Sequence, residues 1–217
     1  MVEKKLTSGR VTSGVARIGN TIHRPQGDHS PFVHRLLKHL EGVRFEGAPR
    51  FLGVDEFNSE ILSYIPGDVP PDLQDWSDNQ LVAAAKLIRG YHDATAGSDL
   101  TSNMEVLCHN DLTPCNTVIV NKLPIAFIDF DVAKPGLRKR DLAYAVWMWC
   151  CLGEEEVEPE EQGRRIKLFC DANGLETRKN FIDEIIEIQR EHILNYQRKG
   201  RAIHGALYGP PSGRLVF

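Results

Sequence analysis

The chain lacks the features of an exported or membrane-embedded protein. Its 217 residues include neither a charged-then-apolar amino terminus nor an apolar run of about 18 residues, so the sequence predicts neither secretion nor membrane spanning. A basic excess is missing too, and the net charge of -4 argues against nucleic acid as the main partner. The five cysteines form an odd set, which fits a reducing cytoplasm better than a disulfide framework.

The composition that is present, with 41% hydrophobic and 26% charged residues, is that of a globular protein. Its length suits one domain or two closely joined lobes with a sizeable core. Short apolar runs separated by turn residues predict a small sheet plus one helix in the amino-terminal part. The strands are expected at 15–18, 21–24, 50–54 and 60–65, and the helix at 31–41 after Ser30 as its cap.

The remainder of the chain is predicted to be mainly helical, with a boundary at Pro66-Gly67. Ser77 and Gln80 form a capping box before a helix that ends near Gly97. Asp141 is expected to cap a helix that is apolar nearly all round and therefore central to the core. Amphipathic patterns predict two more helices near 160–172 and 181–199, and residues 205–217 stay unassigned.

A hairpin after residue 116 is the most informative segment. Apolar runs at 117–120 and 125–128 flank Asn121-Lys122-Leu123-Pro124, which predicts a four-residue turn. In that register Asn116 lies opposite Asp129. Paired residues have Cβ atoms about 5 Å apart, so an amide oxygen and a carboxylate could share one hard cation.

Asp111 lies five residues ahead of Asn116, on the loop before the hairpin. A carboxylate free for proton transfer beside an Asn/Asp metal pair is the arrangement that kinase-type phosphoryl transfer needs. A second interpretation takes Cys108, His109, Asp111 and Cys115 as zinc ligands. It lacks the usual second ligand pair and leaves the pairing of Asn116 with Asp129 unexplained.

Together, His109, Asp111, Asn116 and Ile128-Asp129 resemble the catalytic core of the aminoglycoside phosphotransferase family, the small-molecule branch of the protein-kinase-like fold. The family pattern is His-x-Asp, four residues, Asn, then a hairpin ending in Ile-Asp. The similarity covers roughly residues 10–150.

This resemblance implies an α+β, two-lobed protein-kinase-like fold. The small N-terminal lobe, an antiparallel sheet plus a helix, would cover residues 1–66, and the mainly α-helical catalytic and acceptor lobe residues 67–217. It also implies ATP and Mg2+ as cofactors and a small-molecule hydroxyl acceptor, in a cytoplasmic protein whose monomeric or homodimeric state the sequence does not resolve.

The resemblance also assigns roles to individual residues. Asp111 is the catalytic candidate, with His109 beside it orienting the loop, and Asn116 and Asp129 are the metal candidates. The backbone of the segment Ser63, Tyr64 and Ile65 would meet the adenine.

The phosphate clamp departs from the kinase pattern, which has a lysine on the third strand and a glutamate on the following helix. Here His23 takes the lysine position with Arg24 next to it, and only one of the two can face the cleft. Register favours His23, whereas permanent charge and a forked donor favour Arg24. The helix at 31–41 has no central glutamate.

These departures leave a second class open: a kinase-like binding or immunity protein with little or no turnover, as in short members that resemble trifolitoxin-immunity-type proteins. The acceptor is also open. The acidic residues 154–161 could hold a polycationic aminoglycoside-like compound, or could be a solvated helix start. Other amino-alcohol or sugar acceptors fit as well.

Overall fold

The computed structural model describes residues 14–154 and 157–198, together with the backbone of residues 3–5. Within this part of the chain, a five-stranded antiparallel sheet has the order β1-β2-β3-β5-β4. Its strands are Glu3–Lys5 (β1), Ala16–Ile18 (β2), Thr21–Pro25 (β3), Phe51–Val54 (β4) and Ser59–Ser63 (β5). The helix α1, Ser30–Gly42, connects β3 to β4. The predicted small sheet with one helix is therefore confirmed.

Helix α1 forms because apolar residues recur at helical spacing. Val33, Leu36, Leu37 and Leu40 are buried along one face. The predicted cap is displaced by one residue: His29 is the N-cap, and the Ser30 hydroxyl instead accepts a hydrogen bond from the N–H of Gly27 at 3.0 Å. The buried face joins the core cluster that also contains α2 residues, so sheet and helical part share one core.

The helical part follows after residue 77. Its helices are Asp78–Thr95 (α2), Arg138–Trp149 (α3), Pro159–Asn173 (α4) and Phe181–Arg198 (α5). Gln80 accepts a hydrogen bond from the N–H of Ser77, as the predicted capping box requires. Nine residues of α3 in succession, from Asp141 to Trp149, are buried, so the expected central position of this helix is confirmed.

Two small antiparallel sheets lie between α2 and α3. One pairs Val106–Cys108 (β6) with Lys134–Gly136 (β9), and the other is the hairpin of Thr117–Val120 (β7) and Leu123–Phe127 (β8). The predictions did not include β6 or β9, whose three-residue length carries little periodicity. Among the helices of the described ranges, none could span a membrane.

The segment after the five-stranded sheet is attached to the β7–β8 hairpin. Asp68 and Ile119 exchange both backbone hydrogen bonds, at 2.9 and 2.7 Å. Gly67 precedes this bridge with φ of 153°, and a Cβ at that position would lie 2.5 Å from Val118 Cγ1 and 2.8 Å from the Ile119 carbonyl oxygen. Only glycine satisfies both the dihedral angle and the close approach.

Replacing Gly67 with alanine is expected to destabilise the protein by about 1–3 kcal/mol, because the added methyl overlaps backbone that is fixed by two hydrogen bonds. Urea unfolding measures this change. Gly163→Ala is the matched control: nothing lies within 4 Å of its Cβ position in the exposed interior of α4. Alanine there should add about 1 kcal/mol. Equal effects at the two sites would contradict this account of Gly67.

Candidate active site

The loop that carries Asp111 is fixed by one buried carboxylate, that of Asp141. Its Oδ2 accepts a hydrogen bond from the His109 N–H at 2.9 Å, and its Oδ1 accepts one from the Asn110 N–H at 2.8 Å. The His92 ring on α2 contacts the same carboxylate at 2.9 Å. Asp141 is therefore no helix cap: α3 begins at Arg138, and the Asp141 side chain faces the loop.

His109 connects this loop to the residue before Asp129. Its Nε2 lies 3.1 Å from the Ile128 carbonyl oxygen, so Nε2 carries the proton and donates it. The ring packs among Tyr91, Phe127 and Phe130, with its centroid 4.6 Å from that of Phe130. This is the geometry that a loop-orienting histidine requires.

Asp111 has both carboxylate oxygens engaged by neutral donors. The Tyr144 hydroxyl on α3 donates to Oδ1 at 2.9 Å, and the Asn116 amide donates to Oδ2 at 2.8 Å. These two neutral donors orient the carboxylate, but they do not compensate its negative charge. The amide nitrogen of Asn116 is thereby assigned, so its oxygen is directed away from Asp111.

The predicted hairpin register is wrong by two residues at the turn and by one residue at Asn116. Asn121 and Lys122 both have positive φ, 50° and 66°, and form a two-residue turn instead of the expected four-residue turn. Val120 therefore pairs with Leu123, and a bulge between Val118 and Ile119 shifts the register again.

As a result Asn116 lies opposite Ile128, whose N–H donates to its carbonyl oxygen at 2.9 Å, and not opposite Asp129. Asn116 belongs to a short 3-10 helix, Pro114–Asn116. Asp129 follows the end of β8 with a left-handed φ of 65°. The alternation of side chains along a strand therefore does not give the direction of the Asn116 or the Asp129 side chain. Asn116 and Asp129 are nevertheless only one position apart across the hairpin.

Arg24, and not His23, reaches toward Asp129. Its Nη1 lies 3.2 Å from Asp129 Oδ1, and its two terminal nitrogens contact both carboxylate oxygens of Asp131, at 2.6 and 3.3 Å. His23 contacts Thr21 and Asp55, at 3.1 and 3.0 Å. Because successive side chains on β3 alternate, the choice of Arg24 excludes His23 from this cluster.

In the cluster of Arg24, Asp129 and Asp131, the pKa values of Arg24 and Asp129 are both raised. Burial raises the pKa of Asp129, and the neighbouring Asp131 raises it further against the opposing influence of Arg24 and His109. Burial lowers the pKa of Arg24, but Asp131, Glu60 and Asp129 outweigh it, so the net shift is upward. Arg24 is held as a cation.

The donor set fits magnesium bound together with phosphates. Asp129 and Asp131 carry carboxylate oxygens, and Asn116, one hairpin position from Asp129, carries an amide oxygen, and all three could act as ligands of the kind that Mg2+ accepts. Within the described ranges, no group of three or more His, Cys, Asp or Glu side chains could hold a metal.

The zinc interpretation finds no support in the geometry. The Cys108 thiol lies 3.4 Å from the Leu137 carbonyl oxygen, and burial raises its pKa, which opposes the thiolate form that zinc binds. His109 uses Nε2 for Ile128. Cys108 and His109 are therefore occupied in different directions.

Two of the three predicted adenine-contact positions already use their N–H groups inside the protein. The Ser63 N–H donates to the Arg50 carbonyl and the Tyr64 N–H to the Asn20 carbonyl, both at 2.9 Å. The guanidinium of Arg17 lies 3.5 Å over the Tyr64 ring. Base recognition at this segment would therefore fall to carbonyl groups and to Ile65.

The acidic stretch is only partly covered by the structure, since residues 155–156 lie outside the described ranges. Glu160 and Glu161 occupy the first turn of α4, where carboxylates suit the helix dipole. Glu161 is bound by Arg164 and Arg165 at 2.7–2.8 Å. Glu161 is therefore neutralised by arginines of its own helix.

Sequence reasoning missed three contributors to the site: Asp141 as the loop anchor, Tyr144 as a donor to Asp111, and Glu60, which binds Arg24. A signal existed for each acidic residue. Asp141 is a carboxylate at the start of the buried, otherwise apolar run of α3, and Glu60 shares the buried face of β5 with Leu62. Tyr144 carried no comparable signal.

The architecture is that of a two-lobed, protein-kinase-like fold of the phosphotransferase type. Aminoglycoside phosphotransferase APH(3'')-Id from Streptomyces rimosus, solved with ADP and streptomycin, shares it with a TM-score of 0.62 and 12% identity, over 86% of this chain and 91% of that one. ADP-bound APH(2'')-Ib shares it with a TM-score of 0.61 and 15% identity, over 94% and 86%.

The chain belongs to the phosphotransferase enzyme family, whose model matches residues 13–169. It is also 31% identical to the trifolitoxin immunity protein of Rhizobium leguminosarum bv. trifolii, over 83% of this chain and 78% of that protein.

Replacement of Asp141 with asparagine is expected to lower the free energy of unfolding by roughly 2–3 kcal/mol. Because the two backbone donors bind different oxygens, an amide nitrogen would face an N–H in either orientation. Urea unfolding measures the loss, and faster hydrogen exchange at His109 and Asn110 would localise it. Asp93→Asn, which breaks only surface ion pairs, should change stability by less than about 0.5 kcal/mol. Unchanged exchange at both amides would refute the anchoring role.

Proposed function

We propose that the protein transfers the terminal phosphoryl group of ATP, with Mg2+, to a hydroxyl group of a small molecule. The observation that carries this proposal is the different environment of two carboxylates that flank one hairpin. The Asp111 carboxylate accepts hydrogen bonds from two neutral donors, Asn116 and Tyr144, whereas Asp129 lies against the cation Arg24. One suits a proton or a hydroxyl, and the other suits a metal and phosphates.

Each residue then has a defined task. Asp111 orients the acceptor hydroxyl and takes its proton, with Tyr144 and Asn116 fixing the carboxylate plane. Asp129 and Asn116 would hold the magnesium ion, which when bound neutralises charge on the phosphates. Arg24 supplies a permanent cation to the same phosphates.

The proposed division at residues 66 and 67 separates a nucleotide-clamping part from a catalytic and acceptor part. Support comes from the bridge of Asp68 with Ile119, which attaches the chain to the catalytic hairpin directly after Gly67. The proposed use of ATP agrees with a cytoplasmic location.

Asp111→Asn is expected to lower ATP turnover by about 10²–10⁴-fold, because an amide cannot accept the proton. Mg2+–ATP should still raise the melting temperature of this variant, since binding groups remain. ATP hydrolysis and transfer to amino-sugar and amino-alcohol acceptors measure the loss. Asp99→Asn, which changes an exposed carboxylate in the 3-10 helix Asp99–Thr101, is the control and should keep wild-type rates. Undiminished turnover in Asp111→Asn would exclude the assigned role.

Asp129→Asn tests the metal role separately. Removal of this carboxylate should weaken the Mg2+-dependent part of ATP binding by at least roughly 10–100-fold, the scale on which outer partners of metal ligands act. Titration of ATP with Mg2+ and with EDTA separates the two parts. If the variant keeps the wild-type response to Mg2+, Asp129 is no ligand.

A second candidate function is immunity against a peptide toxin by binding alone, favoured by the 31% identity to the trifolitoxin immunity protein. Binding of trifolitoxin in the absence of nucleotide, together with no effect of millimolar Mg2+–ATP on the melting temperature, would favour it. Nucleotide-dependent phosphorylation of the toxin would instead unite the two candidates.

A further inference from the structure

Arg24 divides its donors between a buried side and an open side. The residue is only 8% exposed. Its Nε donates to Glu60, and its terminal nitrogens face Asp129 and Asp131. The side chains of Asp129 and Asp131 are 41% and 48% exposed, whereas that of Glu60 is 0% exposed. The outward contacts can therefore exchange with solvent or ligand, and the inward contact is the permanent one.

Glu60 is held from two directions. It lies directly across from Arg24 in the β3–β5 pairing, and one oxygen binds the Arg24 Nε. The other oxygen binds Nε2 of His34 on α1. The His34 ring in turn stacks on Phe51 of β4, with centroids 3.8 Å apart and planes at 16°. Strands β3, β4 and β5 and helix α1 thus all fix this carboxylate.

We propose that Glu60 and His34 are positioning residues that aim Arg24 at the phosphates of the nucleotide. This inference rests on the proposed function. With Nε bound to Glu60, the planar guanidinium presents its two terminal nitrogens as a fork toward Asp129 and Asp131. Such a fork matches two phosphate oxygens at once.

His34 completes the arrangement by reserving the Glu60 oxygens. Because its ring occupies one oxygen, the other remains for Arg24 alone. A lysine at position 24 could not substitute, since a single nitrogen on a flexible stem cannot bind Glu60 and also span two phosphate oxygens. Glu60 stays buried when phosphates displace the outward carboxylates, so departure of Arg24 would leave one oxygen of a buried carboxylate without its partner.

The test compares ligands that differ only in their phosphates. Adenosine, ADP and ATP, each with Mg2+, are titrated calorimetrically against wild type, Glu60→Gln and the control Glu56→Gln, which changes an exposed glutamate in the turn between β4 and β5. We expect Glu60→Gln to weaken ADP and ATP by about tenfold or more and to leave adenosine unchanged. Glu56→Gln should bind all three as wild type does.

A double-mutant cycle with Arg24→Gln shows whether Glu60 acts through Arg24. In the Arg24→Gln background, Glu60→Gln should cause little further loss of ATP affinity. The inference would be overturned if the double variant lost ATP affinity by the product of the two single losses, or if adenosine affinity fell as much as ATP affinity. If wild type binds adenosine but shows no gain from phosphates, the inference also fails; if it binds no nucleotide, the proposed function itself fails.

Two variants of His34 keep the test decisive if Glu60→Gln does not fold. His34→Gln retains an N–H donor and should keep ATP affinity near that of wild type, whereas His34→Leu removes the donor and should reproduce the phosphate-specific loss. Equal ATP affinity in these two variants, with unfolding curves confirming that both are folded, would contradict the positioning role of His34.

Discussion

The site depends on the buried carboxylate of Asp141, where three separate parts of the chain meet. Helix α2 contributes His92, α3 contributes the carboxylate itself, and the loop contributes the N–H groups of His109 and Asn110. Buried backbone N–H groups need hydrogen-bond acceptors. The N–H groups of His109 and Asn110 find theirs in the Asp141 side chain and not in a strand or helix. The position of Asp111, the next residue, follows from that anchor.

The two halves of the site are stabilised by different interactions, hydrogen bonds from neutral donors around Asp111 and charge–charge attraction around Arg24. On the Asp111 side, neutral hydroxyl and amide donors orient a carboxylate. On the other side, Arg24 is surrounded by acidic groups, and its pKa is raised although burial opposes this. Phosphoryl transfer needs both kinds of environment: one that leaves a base competent, and one that tolerates dense negative charge.

Local patterns predicted most of the fold, and long-range contacts explain what they missed. Helix α1 and the capping box of α2 follow from periodicity and short-range chemistry. The hairpin register does not, because it depends on two adjacent residues, Asn121 and Lys122, adopting positive φ and on a bulge. The bond of Arg24 to Glu60 spans 36 residues and becomes visible only when β3 and β5 pair.

The bridge of Asp68 with Ile119 constrains how the molecule can move. The segment after the five-stranded sheet is hydrogen-bonded to β7 immediately after Gly67, so the part of it without such restraint ends at Gly67. Upstream, the Tyr64 N–H is bound to Asn20 of the sheet. Any movement of the sheet relative to the helical part must therefore be absorbed by the four peptide units from Tyr64 to Asp68, and a short pivot of this kind favours rotation as a rigid body over sliding.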